Sequence, residues 1–198
     1  MLPETAPTRL SAQALSATTV ALRLESKDGL NRLTLELLWE LAEAPRLHPQ
    51  ARRFVLTGNA EHFSAGADLN AIAELDGASA WTLARDGQRC LGRIAGSPAA
   101  YVAAIAGNCV GGGLDLALAC RARVCAPEAY LGHHGAKLGL VTGWGGTQRL
   151  PRLIGRARTL EHLLAARGWT AAAALEQGLA QAVCPREELL QRAAELTC

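Results

Sequence analysis

The sequence predicts a single soluble α/β domain. Apolar strand-like runs alternate with longer runs of helical periodicity, and no internal repeat or low-complexity linker divides the 198 residues. Apolar residues make up 49% of the chain and charged residues 19%, which is enough for a buried core. Residues 1–18 are rich in Pro, Thr, Ser and Ala without a sustained period. We therefore predict a loose N-terminal arm over residues 1–18 and a folded domain over residues 19–198.

The predicted elements follow one another with short connections. The helical pattern is clearest where Leu33, Leu37, Leu38 and Leu41 fall on one face ahead of Pro45. After residue 146 the pattern becomes mostly helical. The predicted strands cover residues 19–24, 54–57, 101–105 and 121–125. The predicted helices cover residues 33–44, 78–94, 112–120, 147–153, 157–166, 170–177 and 186–196.

Charge and hydropathy exclude several classes of protein. The net charge is only +2 and the basic residues are scattered, so no attraction to a nucleic-acid backbone is implied. No run reaches the roughly 18 apolar residues that span a bilayer, and the N-terminus lacks the apolar stretch of a signal peptide. We expect a cytoplasmic protein that binds neither nucleic acid nor membrane. One basic cluster fits a solvated helix face, or a position near an anionic ligand or a partner subunit: Arg149, Arg152, Arg156 and Arg158.

The cysteines predict reduced, mostly buried thiols. They show no paired CxxC spacing, and four of them lie in apolar surroundings. This pattern favours free thiols over a zinc site or a disulfide framework. The six positions are Cys90, Cys109, Cys120, Cys125, Cys184 and Cys198.

Two glycine-rich segments stand where a strand gives way to a helix. Residues 63–69 read FSAGADL, and residues 107–115 read GNCVGGGLD. Each glycine at a helix start lowers helix propensity by roughly 1 kcal/mol, which favours a function for exposed backbone amides, such as binding an anion. The alternative to an anion site is that these glycines form tight turns that only allow close packing. A dinucleotide-binding turn fits poorly, because the G-x-G-x-x-G spacing and the acidic residue some 20 residues later are missing.

These two segments, together with GWGGTQRL at residues 143–150, resemble the crotonase, or enoyl-CoA hydratase/isomerase, superfamily. Further matches are GLNRL at residues 29–33, FVLTG at residues 54–58 and EQGL at residues 176–179. The resemblance implies an α/β spiral of ββα units, with the usual C-terminal helical extension shortened or absent. It also implies an acyl-CoA thioester as substrate, no metal or redox cofactor, and a homo-oligomer such as a trimer.

The resemblance implies an oxyanion hole made by the two glycine-rich segments. The backbone N–H groups of Ala67 and Gly112 would hold the thioester oxygen as it becomes enolate-like, and Asp115 takes the place of the first of the family's two glutamates. Rigid donors of this kind match charge that develops in the transition state, and losing one costs roughly 3 kcal/mol. The other residues expected to bind substrate are Ala65, Gly66, Asp68, Leu69, Gly111, His133, His134, Gly135 and Trp144.

The sequence departs from the family at Gly135, where the second glutamate is expected, because a glycine cannot act as an acid or base. In a first hypothesis Asp115 is the base, with His133 or His134 as a second titratable group. In a second, the oxyanion hole supports another reaction, such as decarboxylation or carbon–carbon cleavage. In a third, the chain binds acyl-CoA, or serves in assembly, with little activity. Alternatively, Asp115 has no catalytic role and its charge only stabilises the dipole of its helix. For Trp144 the alternatives are a wall of the acyl pocket and a filler of the core.

Overall fold

The computed structural model describes residues 7–196, and it confirms the predicted α/β alternation. The strands in this range are Arg9–Ala14 (β1), Thr19–Glu25 (β2), Arg32–Leu33 (β3), Arg53–Thr57 (β4), His62–Ser64 (β5), Gly66–Ala67 (β6), Ala100–Ile105 (β7), Asn108–Val110 (β8), Ala122–Cys125 (β9), Tyr130–Gly132 (β10), Gly168–Thr170 (β11) and Ala182–Val183 (β12). The α-helices are Leu35–Leu47 (α1), Leu69–Ala73 (α2), Gly77–Ala95 (α3), Gly112–Ala119 (α4), Gly146–Ile154 (α5), Arg156–Leu164 (α6), Ala171–Glu176 (α7) and Leu189–Glu195 (α8). Short 3-10 turns lie at Gly135–Leu138 and Arg186–Glu188.

The larger sheet has the strand order β1-β2-β4-β7-β9-β12. Strand β1 runs antiparallel to β2, and the other pairs are parallel. The predicted loose arm is therefore wrong for residues 9–14, which pair with β2 along their whole length. Backbone hydrogen bonds order this edge strand, and its side chains are mostly exposed. Its apolar alternation is short and weak, because two of its three apolar residues are alanines. Residues 1–6 of the predicted arm lie outside the described residues.

A second sheet, with the order β11-β10-β8-β5, and the short pair β3-β6 carry the glycine-rich segments. Strand β6 lies just before α2, and β8 lies just before α4. Because β5 and β10 both pair with β8 in parallel, the strands bring the ends of distant segments to one place. This arrangement positions the candidate site described below.

The larger sheet is covered on both faces. On one face, Phe54 and Tyr101 stack with ring centroids 5.0 Å apart and join a core shared with α1, α3 and α4. On the other face, valines of the central strands pack against Leu189 and Ala193 of α8. Strands that are buried on both faces read as continuous apolar runs, which is why the central strands were predicted from sequence.

Helix α1 continues through Pro45, whereas the sequence predicted its end at Ala44. A proline has no N–H group to donate to the carbonyl four residues earlier, which here belongs to Leu41. The hydroxyl of Tyr101 donates to the Leu41 carbonyl over 2.7 Å. This bond satisfies the orphaned acceptor, so the helix can extend to Leu47.

The thiols within residues 7–196 are free, as predicted. Four of these cysteines are buried and Cys184 is partly exposed. Burial raises the pKa of Cys120 and of Cys125 to about 12, which keeps both thiols protonated and unreactive. Cys198 lies outside the described residues. None of the helices in the described range is long and apolar enough to cross a membrane.

Candidate active site

The two glycine-rich segments cross each other in close contact. A Cβ atom added to Gly66 would lie 2.8 Å from the backbone nitrogen of Gly112, and one added to Gly112 would lie 3.3 Å from the backbone nitrogen of Ala67. Gly66 and Gly111 also have positive φ angles, of +90° and +57°, which side chains disfavour. The backbone nitrogens of Ala67 and Gly112 therefore lie close together. The two segments can approach this closely only because glycines without side chains stand at the crossing.

Helix α4 starts at this crossing without a capping side chain. Its N-cap is Gly111, and the amides of Leu114 and Asp115 bond back to the Gly111 carbonyl over 3.0 and 3.2 Å. The first amides of a helix have no partner within the helix, and they carry its positive dipole end. The start of α4 thus offers an environment suited to negative charge.

A cavity of about 340 Å³ lies at the crossing, within the size range of small-molecule sites. Among the predicted site residues, those that line it are Ala65, Ala67, Leu69, Gly111, Gly112, Asp115, His133, His134, Gly135 and Trp144. Sequence reasoning missed most of its apolar wall, because scattered aliphatic residues carry no local signal. These wall residues include Ile72, Leu75, Leu83, Leu138, Leu140 and Val141.

Two predicted site residues do not line the cavity. Gly66 is buried in the packing behind the crossing. Asp68 is the N-cap of α2, and its carboxylate accepts from the amide of Asn70 over 2.9 Å. Both residues flank Ala67 in the chain, and neither adds a side chain to the cavity.

Asp115 is the buried carboxylate of the cavity, with only 2% of its surface exposed. The Thr142 hydroxyl lies 2.7 Å from both carboxylate oxygens, and the nearby backbone amides of Trp144 and Gly146 favour the ionised form of the carboxyl group, which lowers its pKa. Burial raises the pKa of Asp115 to about 6, and the Thr142 hydrogen bond and the positive charge of Arg149 oppose this rise. The carboxyl group can therefore gain and lose a proton near neutral pH.

The backbone close to the Asp115 carboxylate belongs to the first residue of α5 and the loop before it, not to its own helix. A Cβ atom on Gly146 would lie 2.4 Å from Oδ1 of Asp115, so only glycine lets the α5 backbone approach. The Thr142 hydroxyl accepts from the Gly146 amide over 3.1 Å while it donates to the carboxylate. Thr142 was missed from sequence, because its partner lies 27 residues earlier and a single threonine has no distinguishing pattern.

Trp144 both walls the cavity and fills the core, so each of the two alternatives describes part of its role. It is 5% exposed and lines the cavity, and its indole N–H donates to the carbonyl of Leu83 over 3.2 Å. The ring lies where a Cβ atom on Gly87 or Gly112 would be, 2.2 and 2.5 Å from the nearest ring atoms. Trp144 thereby connects α3 to the start of α4.

The position of the missing glutamate is bordered by an imidazole. A Cβ atom on Gly135 would lie 3.0 Å from Cε1 of His133 and 2.8 Å from the carbonyl oxygen of Leu140. Burial and the nearby His134 lower the pKa of His133, so its ring is neutral at neutral pH and can accept a proton. Nδ1 of His134 instead lies 2.9 Å from the carbonyl oxygen of Ala166. Both histidines line the cavity, and His133 is the one whose ring borders the position of the missing glutamate.

Within residues 7–196, no group of three or more His, Cys, Asp or Glu side chains is arranged to hold a metal ion.

The sheet order, the glycine crossing and the position of the cavity at that crossing define a crotonase-type α/β fold. The family model for enoyl-CoA hydratase/isomerase matches residues 15–198. The chain belongs to the enoyl-CoA hydratase/isomerase family.

Solved structures agree with this assignment. The chain is similar to an enoyl-CoA hydratase from Bacillus anthracis, with 33% identity and a TM-score of 0.87 over 94% of this chain and 74% of the other. An enoyl-CoA hydratase from Geobacillus kaustophilus is 31% identical, with a TM-score of 0.87 over 96% and 75%. DspI from Pseudomonas aeruginosa is 31% identical, with a TM-score of 0.86 over 93% and 77%.

Proposed function

We propose that the protein binds an enoyl-CoA thioester and adds water to it, or moves its double bond, through an enolate held by two backbone amides. The observation that carries this proposal is the glycine crossing, which brings the amides of Ala67 and Gly112 beside the same cavity as the Asp115 carboxylate. Family membership supports it further. The domain over residues 19–198 would contain every group that this reaction needs.

The amides of Ala67 and Gly112 would stabilise the thioester oxygen as negative charge moves onto it. Preorganised donors in a site that excludes water lower the barrier most where charge develops, and the dipole of α4 acts in the same direction. The apolar wall would hold the acyl group and keep bulk water away. The thioester carbonyl would then be polarised enough to make the double bond electrophilic.

Asp115 would move the proton. In hydration, its carboxylate takes a proton from water as the oxygen bonds to the β-carbon, and the electron pair of the double bond passes to the enolate. The carboxylic acid then returns a proton to the α-carbon, and the enolate collapses to the saturated thioester. In isomerisation, the same group removes a proton at one carbon and returns it at another. A pKa of about 6 suits both directions of transfer.

His133 would assist by positioning the attacking water or by sharing its proton. Its imidazole borders Gly135 in the cavity wall, and its lowered pKa makes it a neutral acceptor near pH 7. Replacing His133 with Gln should then reduce turnover less than replacing Asp115, because the carboxylate carries the transferred proton.

The test is turnover and binding of crotonyl-CoA by the wild type and by Asp115→Asn. The thioester absorbance reports turnover, and calorimetry reports binding. We expect Asp115→Asn to lower kcat about 100-fold or more, as for loss of a general base, with the dissociation constant nearly unchanged. Asp115→Glu, which keeps the carboxylate, should retain more activity. Equal turnover in the wild type and Asp115→Asn would remove Asp115 from the mechanism.

Gly135 favours a second candidate function, a non-catalytic acyl-CoA-binding protein. The backbone at this position leaves no room for a longer side chain without displacing His133 or the Leu140 carbonyl. If the wild type binds crotonyl-CoA tightly without turnover, the site serves binding or a different enolate reaction, such as decarboxylation. Absence of binding would contradict both candidates.

A further inference from the structure

A second cavity, of about 470 Å³, adjoins the first at the loop of residues 142–144. The two cavities share four lining residues, Ala84, Thr142, Gly143 and Trp144. A Cβ atom on Gly143 would lie 3.8 Å from Cβ of Ala84, which is van der Waals contact, so the loop packs against α3 where both cavities are lined by the same residues. The remaining lining residues of the second cavity are Gly145 and five residues with polar side chains: Gln88, Thr147, Gln148, Arg149 and Arg152.

Two arginines of α5 give this cavity a positive lining. Arg149 donates to the Trp144 carbonyl over 2.8 Å, and Arg152 donates to the Gln148 carbonyl over 2.5 Å. Each guanidinium is thus held by one backbone acceptor at the cavity wall. No acidic residue lines the cavity, and within residues 7–196 neither arginine forms an ion pair.

The arginines differ in exposure. Arg152 is exposed and Arg149 is half-buried, and burial lowers the pKa of Arg149. A partly desolvated cation gains more from an anion than a fully hydrated one. A guanidinium offers five N–H donors in a planar fork that fits carboxylate and phosphate oxygens. Two such forks, three residues apart on one helix, lie on the same face of α5.

The other polar groups of the lining complete a set of donors. The Gln88 amide donates to the Gly143 carbonyl over 2.8 Å, which fixes α3 against the loop. The side chains of Thr147 and Gln148 are exposed at the cavity. Hydroxyl and amide groups beside paired arginines are the surroundings in which proteins hold oxyanions.

We propose that this second cavity binds an oxyanion, a carboxylate or phosphate group, between Arg149 and Arg152. Two sources share this chemistry: a free anion, or a carboxylate at the far end of a bound acyl group that reaches across the loop. The sequence-based alternative of a solvated helix face then holds for Arg156 and Arg158, which are exposed and do not line the cavity.

The bound anion would act on the first cavity through Arg149. The positive charge of Arg149 favours the ionised form of Asp115. An anion beside Arg149 offsets that charge, so it should raise the pKa of Asp115 and shift any activity of the carboxylate to higher pH. The two cavities would thus be coupled through one guanidinium.

The first arm of the test is calorimetric titration of the whole protein with inorganic phosphate and with succinate at low salt. It needs no acyl-CoA and no turnover, so it is independent of the proposed function. We expect saturable binding by the wild type, weakened about tenfold or more in Arg152→Gln and Arg149→Gln, because a charge-assisted hydrogen bond is lost. The matched control, Arg158→Gln, removes the same charge outside the cavity and should bind like the wild type.

The second arm identifies the source of the anion. We compare the affinities of crotonyl-CoA and of an enoyl-CoA thioester whose acyl group ends in a carboxylate. Weaker binding of only the carboxylate-bearing thioester in Arg152→Gln would assign the site to the substrate, and phosphate binding without that difference would assign it to a free anion. The proposal is overturned if Arg152→Gln and Arg158→Gln bind phosphate, succinate and the carboxylate-bearing thioester equally well, whether or not crotonyl-CoA binds. Circular dichroism confirms that each variant is folded.

Discussion

At the scale of single residues, the proton chemistry of the cavity depends on Asp115 and Thr142. The carboxylate is almost fully buried, so its pKa rises to about 6. The Thr142 hydroxyl bonds to the charged form and limits the rise. A catalytic carboxyl group with this pKa should give kcat/KM an acid limb near pH 6, since only the ionised form accepts a proton.

Thr142→Val should move that acid limb to higher pH. Valine keeps the shape of threonine but cannot donate to the carboxylate, so the pKa of Asp115 should rise by about one unit. Activity near pH 6 should fall several-fold, while activity well above the new pKa recovers. The measurement is kcat/KM against pH with crotonyl-CoA, with Thr142→Ser as the control that keeps the hydroxyl. A profile in Thr142→Val that matches the wild type would show that this hydrogen bond does not set the pKa.

Among the residues of the candidate site, the backbone features could be predicted from sequence better than the side-chain contacts. The two glycine-rich segments were singled out from sequence, because close backbone approach requires glycine and glycine leaves a visible pattern. The resemblance to the family then pointed to Ala67 and Gly112 within them. The partners of Asp115 could not be predicted, because Thr142 and Gly146 meet it only after distant segments pack. His133 and His134 were equivalent in sequence, and the structure separates them by burial and by their different neighbours.

At the scale of secondary-structure elements, glycine positions on α3 determine how the helix packs. Gly87 faces Trp144, and a Cβ atom there would lie 2.2 Å from the indole nitrogen. Gly92, on the same helix, has no atom within 4 Å of such a Cβ position. The two glycines are therefore a matched pair, one with a packing function and one without.

Gly87→Ala should lower the free energy of unfolding by about 1–3 kcal/mol, because an added methyl group in a packed contact forces neighbours to move. Gly92→Ala should raise it by about 0.5–1 kcal/mol, because alanine favours a helix over glycine. Urea unfolding followed by circular dichroism measures both. The packing role of Trp144 would be contradicted if the two variants changed stability in the same direction.

The boundaries of helices and strands were predicted well in some places and poorly in others. Helix α3 was predicted within one residue at each end. The helical spacing of its apolar residues is visible in the sequence without knowledge of what the helix packs against. Strand β1 was missed, because it is ordered mainly by backbone pairing with β2 and its side chains are mostly exposed. The passage of α1 through Pro45 was also missed, because it depends on Tyr101, which lies 60 residues from the carbonyl it satisfies.

At the scale of the whole molecule, α6 exposes two large apolar side chains on its surface. Leu160 and Leu164 are 59% and 71% exposed, and a spacing of four residues places them on one helix face. Contiguous exposed apolar residues mark association surfaces more often than chance. We propose that this face contributes to a homo-oligomer.

Leu164→Arg should then lower the molar mass in solution, because a charge on the interface core opposes association. Light scattering after size-exclusion chromatography gives the mass, and Arg158→Gln, on the same helix but at another exposed position, is the control for a changed charge. A wild type that is monomeric at high concentration would rule out this interface.

Trp144 provides an optical readout of both cavities, because its side chain is part of the wall that they share. An acyl group on one side and an anion on the other would each change the surroundings of the same indole. Intrinsic fluorescence could therefore follow occupancy of either cavity without an added dye. Comparison with Trp144→Phe separates its emission from that of the other tryptophans. One chromophore then senses both ligands. Titrating one ligand in the presence and absence of the other would therefore measure how much each ligand changes the affinity for the other.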